Sequence, residues 1–207
     1  MTAVSPEAAA PAARLPRRWP GAAGTVVVLG SAALLARPLA VRAVADPTAL
    51  LVALFVALGL IGLRWPLEPA TDTPARTGDR APMTPLAPAM ALALGVGAFA
   101  VGRLLGPGGT LALPVSVAPL LLNSLAAIAE EAFFRRLLYG LLEPRGPAVA
   151  VVGSALCFAA VHVTVWGASV LPLDLAAGLI LGWQRAVTGR WTVPAVTHVA
   201  ANVLAVL

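Results

Sequence analysis

The chain has 207 residues, of which 59% are hydrophobic and only 11% are charged. A soluble domain carries roughly one-quarter charged residues, so this composition excludes an ordinary soluble protein. Uncharged runs of about 17–25 residues, the length that spans a bilayer core, recur along the chain. We therefore expect a polytopic, all-α membrane protein that is surrounded by a lipid bilayer.

The formal charge of +5 comes from arginine alone, because the sequence contains no lysine. High-GC bacterial codon usage accounts for this bias, and we expect a protein of the bacterial cytoplasmic membrane. The arginines are scattered between apolar runs instead of alternating with aromatic residues on one face, which argues against nucleic-acid binding. The single cysteine, Cys157, excludes an internal disulfide and a thiolate metal cluster.

The apolar runs predict about seven spans in a single membrane domain. Residues 1–20, rich in Ala, Pro and Arg, are predicted to be a disordered basic tail, followed by amino-terminal membrane helices in 21–110. The polar motifs fall in residues 111–207. The first two predicted spans are Trp19–Ala36 and Pro47–Leu63, and the third lies within 81–102. The fourth runs from 104 to the adjacent residues Glu130 and Glu131, and the fifth begins at Gly146. The last two are Leu171–Ala186 and Trp191–Leu207. The first is either an uncleaved span or a signal peptide with its cleavage site near Ala45.

The distribution of arginine predicts the orientation of these spans. Eleven arginines fall on the amino-terminal side, and only Arg37, Arg42 and Arg103 fall on the other side. The positive-inside rule then predicts a cytoplasmic amino terminus and an external carboxyl terminus.

The segment Ile128–Arg136 contains two adjacent carboxylates, Glu130 and Glu131, at the end of a long apolar run. A charge at hydrocarbon depth costs at least roughly 2.5–3.5 kcal/mol, so such a pair is a functional-site hypothesis by default. Glu131 and Arg135 are four residues apart on a helix and can neutralise each other. Glu130 points about 100° away and has no local partner, which favours a role as a general base.

Three further polar residues are predicted to lie at the depth of Glu130. Glu130 and His162 lie about equally far in sequence from the Pro144–Pro147 turn, which places both roughly 20 Å from it in an antiparallel pair of helices. Asn202 reaches a comparable depth on the last helix, and His198 shares its helix face at a spacing of four residues. We expect these four side chains to form one site, opening toward the cytoplasmic half of the membrane.

The polar residues form three motifs, Glu130-Glu131-x-x-x-Arg135, Phe158-x-x-x-His162 and His198-x-x-x-Asn202. Together they resemble the motifs of the CPBP intramembrane proteases, which include type II CAAX prenyl endopeptidases and the Abi bacteriocin-immunity proteins. The stretch Gly178–Trp183, with glycines spaced for close helix packing, is also similar to that family. The resemblance covers about Pro114–Leu207 and makes 111–207 a CPBP-like core.

The resemblance implies hydrolysis of a peptide bond in a membrane protein or peptide, including prenylated CAAX-like substrates. Glu130 with His162 would activate a water, and His198 with Asn202 would stabilise the oxyanion. Glu131, Arg135 and Phe158 would support them. No cofactor is expected in this interpretation. A zinc site made of Glu130, His162 and His198 is the alternative, although the sequence has no His-Glu-x-x-His motif.

Two other functions remain compatible with these residues. The chain could be a non-catalytic immunity or partner-binding protein on the same scaffold, or a transporter in which Glu130 relays protons. A proton relay does not need the His198 and Asn202 pair, and no inverted repeat is visible. We further expect Asp174 to be a helix cap or interfacial residue, and Arg136 to be a positive-inside anchor.

Overall fold

The computed structural model describes residues 20–64, 86–105 and 117–206, and within these ranges it contains helices and turns but no strands. The helices are α1 (Pro20–Arg42), α2 (Pro47–Arg64), α3 (Leu86–Leu105), α4 (Val117–Arg145), α5 (Pro147–Trp166), α6 (Leu171–Thr188) and α7 (Thr192–Val206). Six are long and apolar enough to cross a membrane, and the last is a shorter apolar helix. The prediction of a polytopic all-α bundle is confirmed.

The helix limits follow the apolar runs except at the first and fourth helices. Helix α1 continues through Pro38 to Arg42, six residues beyond its predicted end. Helix α4 begins at Val117 within the described residues, well after residue 104. The predicted basic tail of residues 1–19, the polar loop after Trp65 and the turn at Gly106–Gly109 lie outside the described residues.

Asp46 caps the amino-terminal end of α2. The sequence Asp46-Pro47 predicts a helix start at this position. The backbone N–H of Thr48 donates to Asp46 Oδ1 over 2.9 Å. This hydrogen bond from the Thr48 backbone lowers the pKa of the exposed Asp46 carboxyl, because it stabilises the charged form.

Helix α4 is not α-helical throughout. The α-helical part Val117–Glu131 passes into a π-helical segment, Ala132–Leu138, before one α-turn and a 3₁₀ turn complete the element. Wide turns of this kind are rare and are often found at functional sites. Phe133, Phe134 and Leu137 in this segment are fully buried, so the irregular part of α4 lies in the centre of the core.

Glycines allow the neighbouring helices to approach closely. A Cβ atom at Gly178 of α6 would lie 3.0 Å from Ala155 of α5, and one at Gly182 would lie 3.2 Å from Val151. The close approach predicted from the spacing of these glycines is therefore present between α5 and α6. Gly62 of α2 similarly lies against the backbone of Ala132 at the start of the π-helical segment.

Candidate active site

The two adjacent glutamates lie where the α-helical part of α4 meets its π-helical segment. Glu130 is 4% exposed and Glu131 is fully buried. Carboxylates removed from water in this way require charged or hydrogen-bonding partners. In both cases the partners are one arginine and one histidine.

Glu131 lies between Arg135 and His198. Its Oε2 is 3.5 Å from Arg135 Nε, and its Oε1 is 3.1 Å from His198 Nδ1. Arg135 is also fully buried and donates from Nη2 to the carbonyl oxygen of Gly178 over 3.2 Å. The Glu131–Arg135 pair predicted from their spacing is thus present, and it connects α4 to α6 and α7.

Glu130 lies between Arg37 and His162. Its Oε2 is 3.8 Å from His162 Nε2, and its Oε1 is 3.9 Å from Arg37 Nη1. The proximity of Glu130 and His162 agrees with the matched depths calculated from the sequence. Arg37 was assigned by the sequence to the external side of the first span, yet α1 brings its guanidinium to the site.

The ring of His162 is oriented by the backbone of its own helix. Nδ1 is 2.8 Å from the carbonyl oxygen of Phe158, which can only accept a hydrogen bond, so Nδ1 carries the hydrogen in the neutral ring. Nε2 then presents a lone pair toward Glu130. A water oxygen can lie about 2.8 Å from both Nε2 and Glu130 Oε2, beside the line joining them, and donate one hydrogen to each.

Asp174 lies beside His162, a contact that the sequence did not predict. Its Oδ2 is 3.9 Å from His162 Nδ1, and this buried oxygen has no hydrogen-bond partner. Of the two roles expected for Asp174, the capping role is wrong, because no side-chain hydrogen bond caps α6. The interfacial role stays a prediction. An acidic residue inside an apolar helix is itself a signal of a functional site.

Phe158 connects the two Glu–His pairs. The centroid of its ring is 4.6 Å from that of His162 and 5.6 Å from that of His198. The guanidinium of Arg135 lies 5.0 Å from the same ring, at cation–π distance. The side chain of Phe158 therefore fixes the spacing between both histidines and the buried arginine.

Asn202 contacts α4 rather than the Glu130–His162 pair. Its Nδ2 donates to the carbonyl oxygen of Asn123 over 3.1 Å, which leaves the second amide hydrogen for another acceptor. The structure therefore brings together Glu130 with His162 and Glu131 with Arg135 and His198, and it places Asn202 one turn beyond His198.

Arg136, next to the buried arginine, joins α4 to α2. It is partly buried and donates from Nη1 to the carbonyl oxygen of Gly62, near the end of α2. Its role as an interfacial anchor stays a prediction.

The site lies toward the ends of the helices that face away from the Pro144–Pro147 turn. His162 is four residues before the end of α5 at Trp166, and Asp174 is three residues after the start of α6. If the amino terminus is cytoplasmic, as the arginines predict, this end is the external one. The expectation of a site in the cytoplasmic half is incompatible with that orientation.

The alternative zinc site requires Glu130, His162 and His198 as ligands. In residues 20–64, 86–105 and 117–206, no three His, Cys, Asp or Glu side chains are grouped as a metal ion needs. His198 Nδ1 contacts Glu131, and His162 Nδ1 donates to a carbonyl oxygen, so Nε2 is the ring atom that each histidine could offer to a metal ion. Glu130, His162 and His198 are nevertheless not grouped as ligands of one ion in this arrangement.

An apolar cavity of about 520 Å³ lies between α3, α6 and α7. Its wall includes Leu173 and Ala177 of α6 and Ala201 of α7, and none of the site residues is part of it. Arg103 of α3 contributes the charged part of the lining and donates to the carbonyl oxygen of Leu204 over 3.3 Å.

The described helices bring two buried carboxylates together with two histidines from α5 and α7. Residues 112–204 match the model of the family described as type II CAAX prenyl endopeptidase Rce1-like. For this segment, the match confirms the resemblance to the CPBP and CAAX proteases. The family is in general one of intramembrane endopeptidases. No curated protein and no solved structure matches the chain.

Proposed function

We propose that the protein is an intramembrane endopeptidase in which Glu130 and His162 activate a water. The observation that carries this proposal is the 3.8 Å separation of Glu130 Oε2 and His162 Nε2. Both atoms are hydrogen-bond acceptors in the neutral state of the histidine, so they can hold the two hydrogens of one water. The water oxygen then keeps a lone pair for a substrate carbonyl.

The reaction requires one base and one site for negative charge. Glu130 takes a proton from the water, whose oxygen bonds to the carbonyl carbon while the carbonyl electron pair moves to its oxygen. When the tetrahedral intermediate collapses, the carbon–nitrogen bond breaks and the proton on Glu130 passes to the leaving nitrogen. The products are a carboxylic acid and an amine.

His198 and Asn202 stabilise the oxyanion of the intermediate. Because His198 Nδ1 contacts Glu131, Nε2 donates to the oxyanion when the ring carries both hydrogens, with Glu131 as the counter-charge. Asn202 offers the amide hydrogen that does not bond to Asn123. Preorganised donors at such a position are among the largest contributions to hydrolytic catalysis.

The substrate is a membrane-associated protein or peptide. The cavity between α3, α6 and α7 supports this class, since its mainly apolar wall can accept an aliphatic or prenyl chain. A prenylated CAAX-like peptide is therefore the first substrate to test, and an unmodified apolar peptide is its control.

We further propose that the chain resides in a bacterial cytoplasmic membrane with its amino terminus in the cytoplasm. The uneven distribution of arginine supports this orientation. Arg135 and Arg136 lie within α4, so they are no longer counted as loop residues, but the remaining loop arginines keep the same bias. In this orientation the site lies in the outer half of the membrane.

The chemistry in this proposal does not use a metal ion. The spacing of the side chains supports this choice, because within residues 20–64, 86–105 and 117–206 Glu130, His162 and His198 are not grouped as three ligands of one metal ion. We expect a chelator to leave the rate of cleavage unchanged. Loss of activity with the chelator, restored by zinc, would contradict the glutamate mechanism.

The proposal is tested with purified protein and a panel of prenylated and unmodified peptides, analysed by mass spectrometry. Wild type should cleave at least one peptide, whereas Glu130→Ala, His162→Ala and His198→Ala should lose cleavage with their folds intact. Equal turnover in all four proteins would overturn the assignment of these residues. Absence of cleavage by wild type would favour a non-catalytic immunity or partner-binding role.

A further inference from the structure

In each of the two buried glutamates, one carboxylate oxygen faces an arginine and the other faces a histidine. Glu131 uses Oε2 for Arg135 and Oε1 for His198. Glu130 uses Oε1 for Arg37 and Oε2 for His162. In both cases the cation occupies one oxygen and leaves the other directed toward the imidazole ring.

The two arginines come from different parts of the chain. Arg135 belongs to the Rce1-like segment 112–204, whereas Arg37 lies in α1, about seventy residues before that segment begins. The guanidinium that faces Glu130 at ion-pair distance thus comes from α1, outside the matched segment.

Helix α1 is docked so that Arg37 reaches the site. Gly30, Leu34 and Arg37 are spaced by four and three residues and share one helix face. A Cβ atom at Gly30 would overlap the ring of Phe133 in α4, and Leu34 is only 1% exposed. Phe55 of α2 lies 5.6 Å from the Arg37 guanidinium, at cation–π distance.

Arg37 is more buried than an arginine that only anchors a helix at the membrane surface. Its side chain is 14% exposed and its carboxylate partner is 5% exposed. An anchor at the membrane surface directs its guanidinium to water and lipid headgroups. Arg37 instead faces the single glutamate oxygen that His162 does not face.

We propose that Arg37 is a positioning residue that orients the Glu130 carboxylate for proton transfer, and that α1 is consequently part of the active site. This inference rests on the proposed function. Arg37 holds Oε1 by charge, so that Oε2 stays directed at the water beside His162. Without it the carboxylate rotates freely, and the base is misplaced relative to the water.

The test compares Arg37→Gln and Arg37→Lys with wild type in the peptide-cleavage assay. Arg37→Gln should lower kcat by about tenfold to a hundredfold, with KM within about twofold, because misplacement of the base affects the chemical step. Arg37→Lys keeps the charge and should restore a substantial part of kcat. Arg42→Gln, at the exposed end of the same helix, should match wild type.

An unchanged kcat in Arg37→Gln, while Glu130→Ala is inactive, would overturn the role of Arg37 and leave the proposed function intact. The same holds if Arg42→Gln lowers kcat as strongly, because the loss would then reflect basic charge on α1 in general. A rise in KM alone would assign Arg37 to substrate binding and also overturn the positioning role.

If wild type cleaves none of the peptides, thermal unfolding tests whether the side chains of Arg37 and Glu130 interact. Melting temperatures are compared for wild type, Arg37→Gln, Glu130→Gln and the double variant. Coupled side chains should give a double variant whose melting temperature differs by a few degrees from the sum of the single effects. Additive shifts would overturn the inference without any reference to catalysis.

Discussion

Glu130 and Glu131 are neighbours in sequence, yet their surroundings differ. Glu131 is fully buried between Arg135 and His198, whereas Glu130 keeps slight exposure and faces His162 over 3.8 Å. The spacing of four residues was sufficient to predict the Glu131–Arg135 contact. The Arg37 and Asp174 contacts could not be predicted in this way, because they depend on how α1 and α6 pack.

The difference between the two glutamates is testable by matched amide variants. Glu130→Gln should abolish cleavage and lower the melting temperature by only a few degrees, because Arg37 is partly exposed and keeps its contact with Phe55. Glu131→Gln leaves Arg135 buried without its counter-charge, and we expect a loss of about 3–5 kcal/mol in stability. Thermal unfolding in detergent measures this loss. Equal stability of the two variants would contradict the division of roles.

Asp174 should influence the reaction through His162. At 3.9 Å from Nδ1, a carboxylate at Asp174 polarises the Nδ1–H group and makes Nε2 a better acceptor. We expect Asp174→Asn to lower kcat by about tenfold. Glu143→Gln, which changes an exposed carboxylate beside Arg185, is the matched control and should retain wild-type activity. If Asp174→Asn has the kcat of wild type, Asp174 does not influence the reaction.

At the level of elements, the π-helical segment Ala132–Leu138 is the feature that organises the site. It follows Glu131 directly and contains Arg135 and Arg136, which bond to α6 and α2 respectively. The apolar pattern predicted a fourth helix but gave no indication of its wide turns. Such turns arise from packing against neighbouring helices, and a sequence period near 3.6 residues cannot reveal them.

The contact of α2 with this segment predicts a strong effect of a small substitution. A Cβ atom at Gly62 would lie 2.5 Å from the carbonyl group of Ala132, which is backbone and cannot move alone. Gly62→Ala should destabilise the fold by about 1–3 kcal/mol and reduce cleavage through displacement of α4. Gly97→Ala is the control, because a Cβ atom there meets nothing within 4 Å. Equal melting temperatures of the two variants would refute this contact.

At the level of the whole molecule, composition was enough to predict a helical membrane bundle, and three short motifs were enough to predict the family of residues 112–204. The matched depths of Glu130 and His162 followed from helix geometry alone. A cytoplasmic amino terminus and a site in the cytoplasmic half do not agree with each other, because the site lies far from the Pro144–Pro147 turn, which that orientation places on the cytoplasmic side.

The orientation is measurable by cysteine labelling in a Cys157→Ala background. A membrane-impermeant maleimide added to intact cells should label Ser169→Cys, which lies in the turn between α5 and α6. Glu143→Cys, at the opposite end of α5, should react only after permeabilisation. The reverse pattern would place the site in the cytoplasmic half and refute the orientation predicted from arginine.

The most direct test of the central claim, that Glu130 and His162 activate a water for peptide hydrolysis, is cleavage in water enriched with ¹⁸O. The new carboxyl terminus should gain one ¹⁸O atom with wild type, and Glu130→Gln should yield neither product nor label. Mass spectrometry of the product reads both results in one experiment. Labelled product formed equally fast by Glu130→Gln, or product without ¹⁸O, would contradict the mechanism.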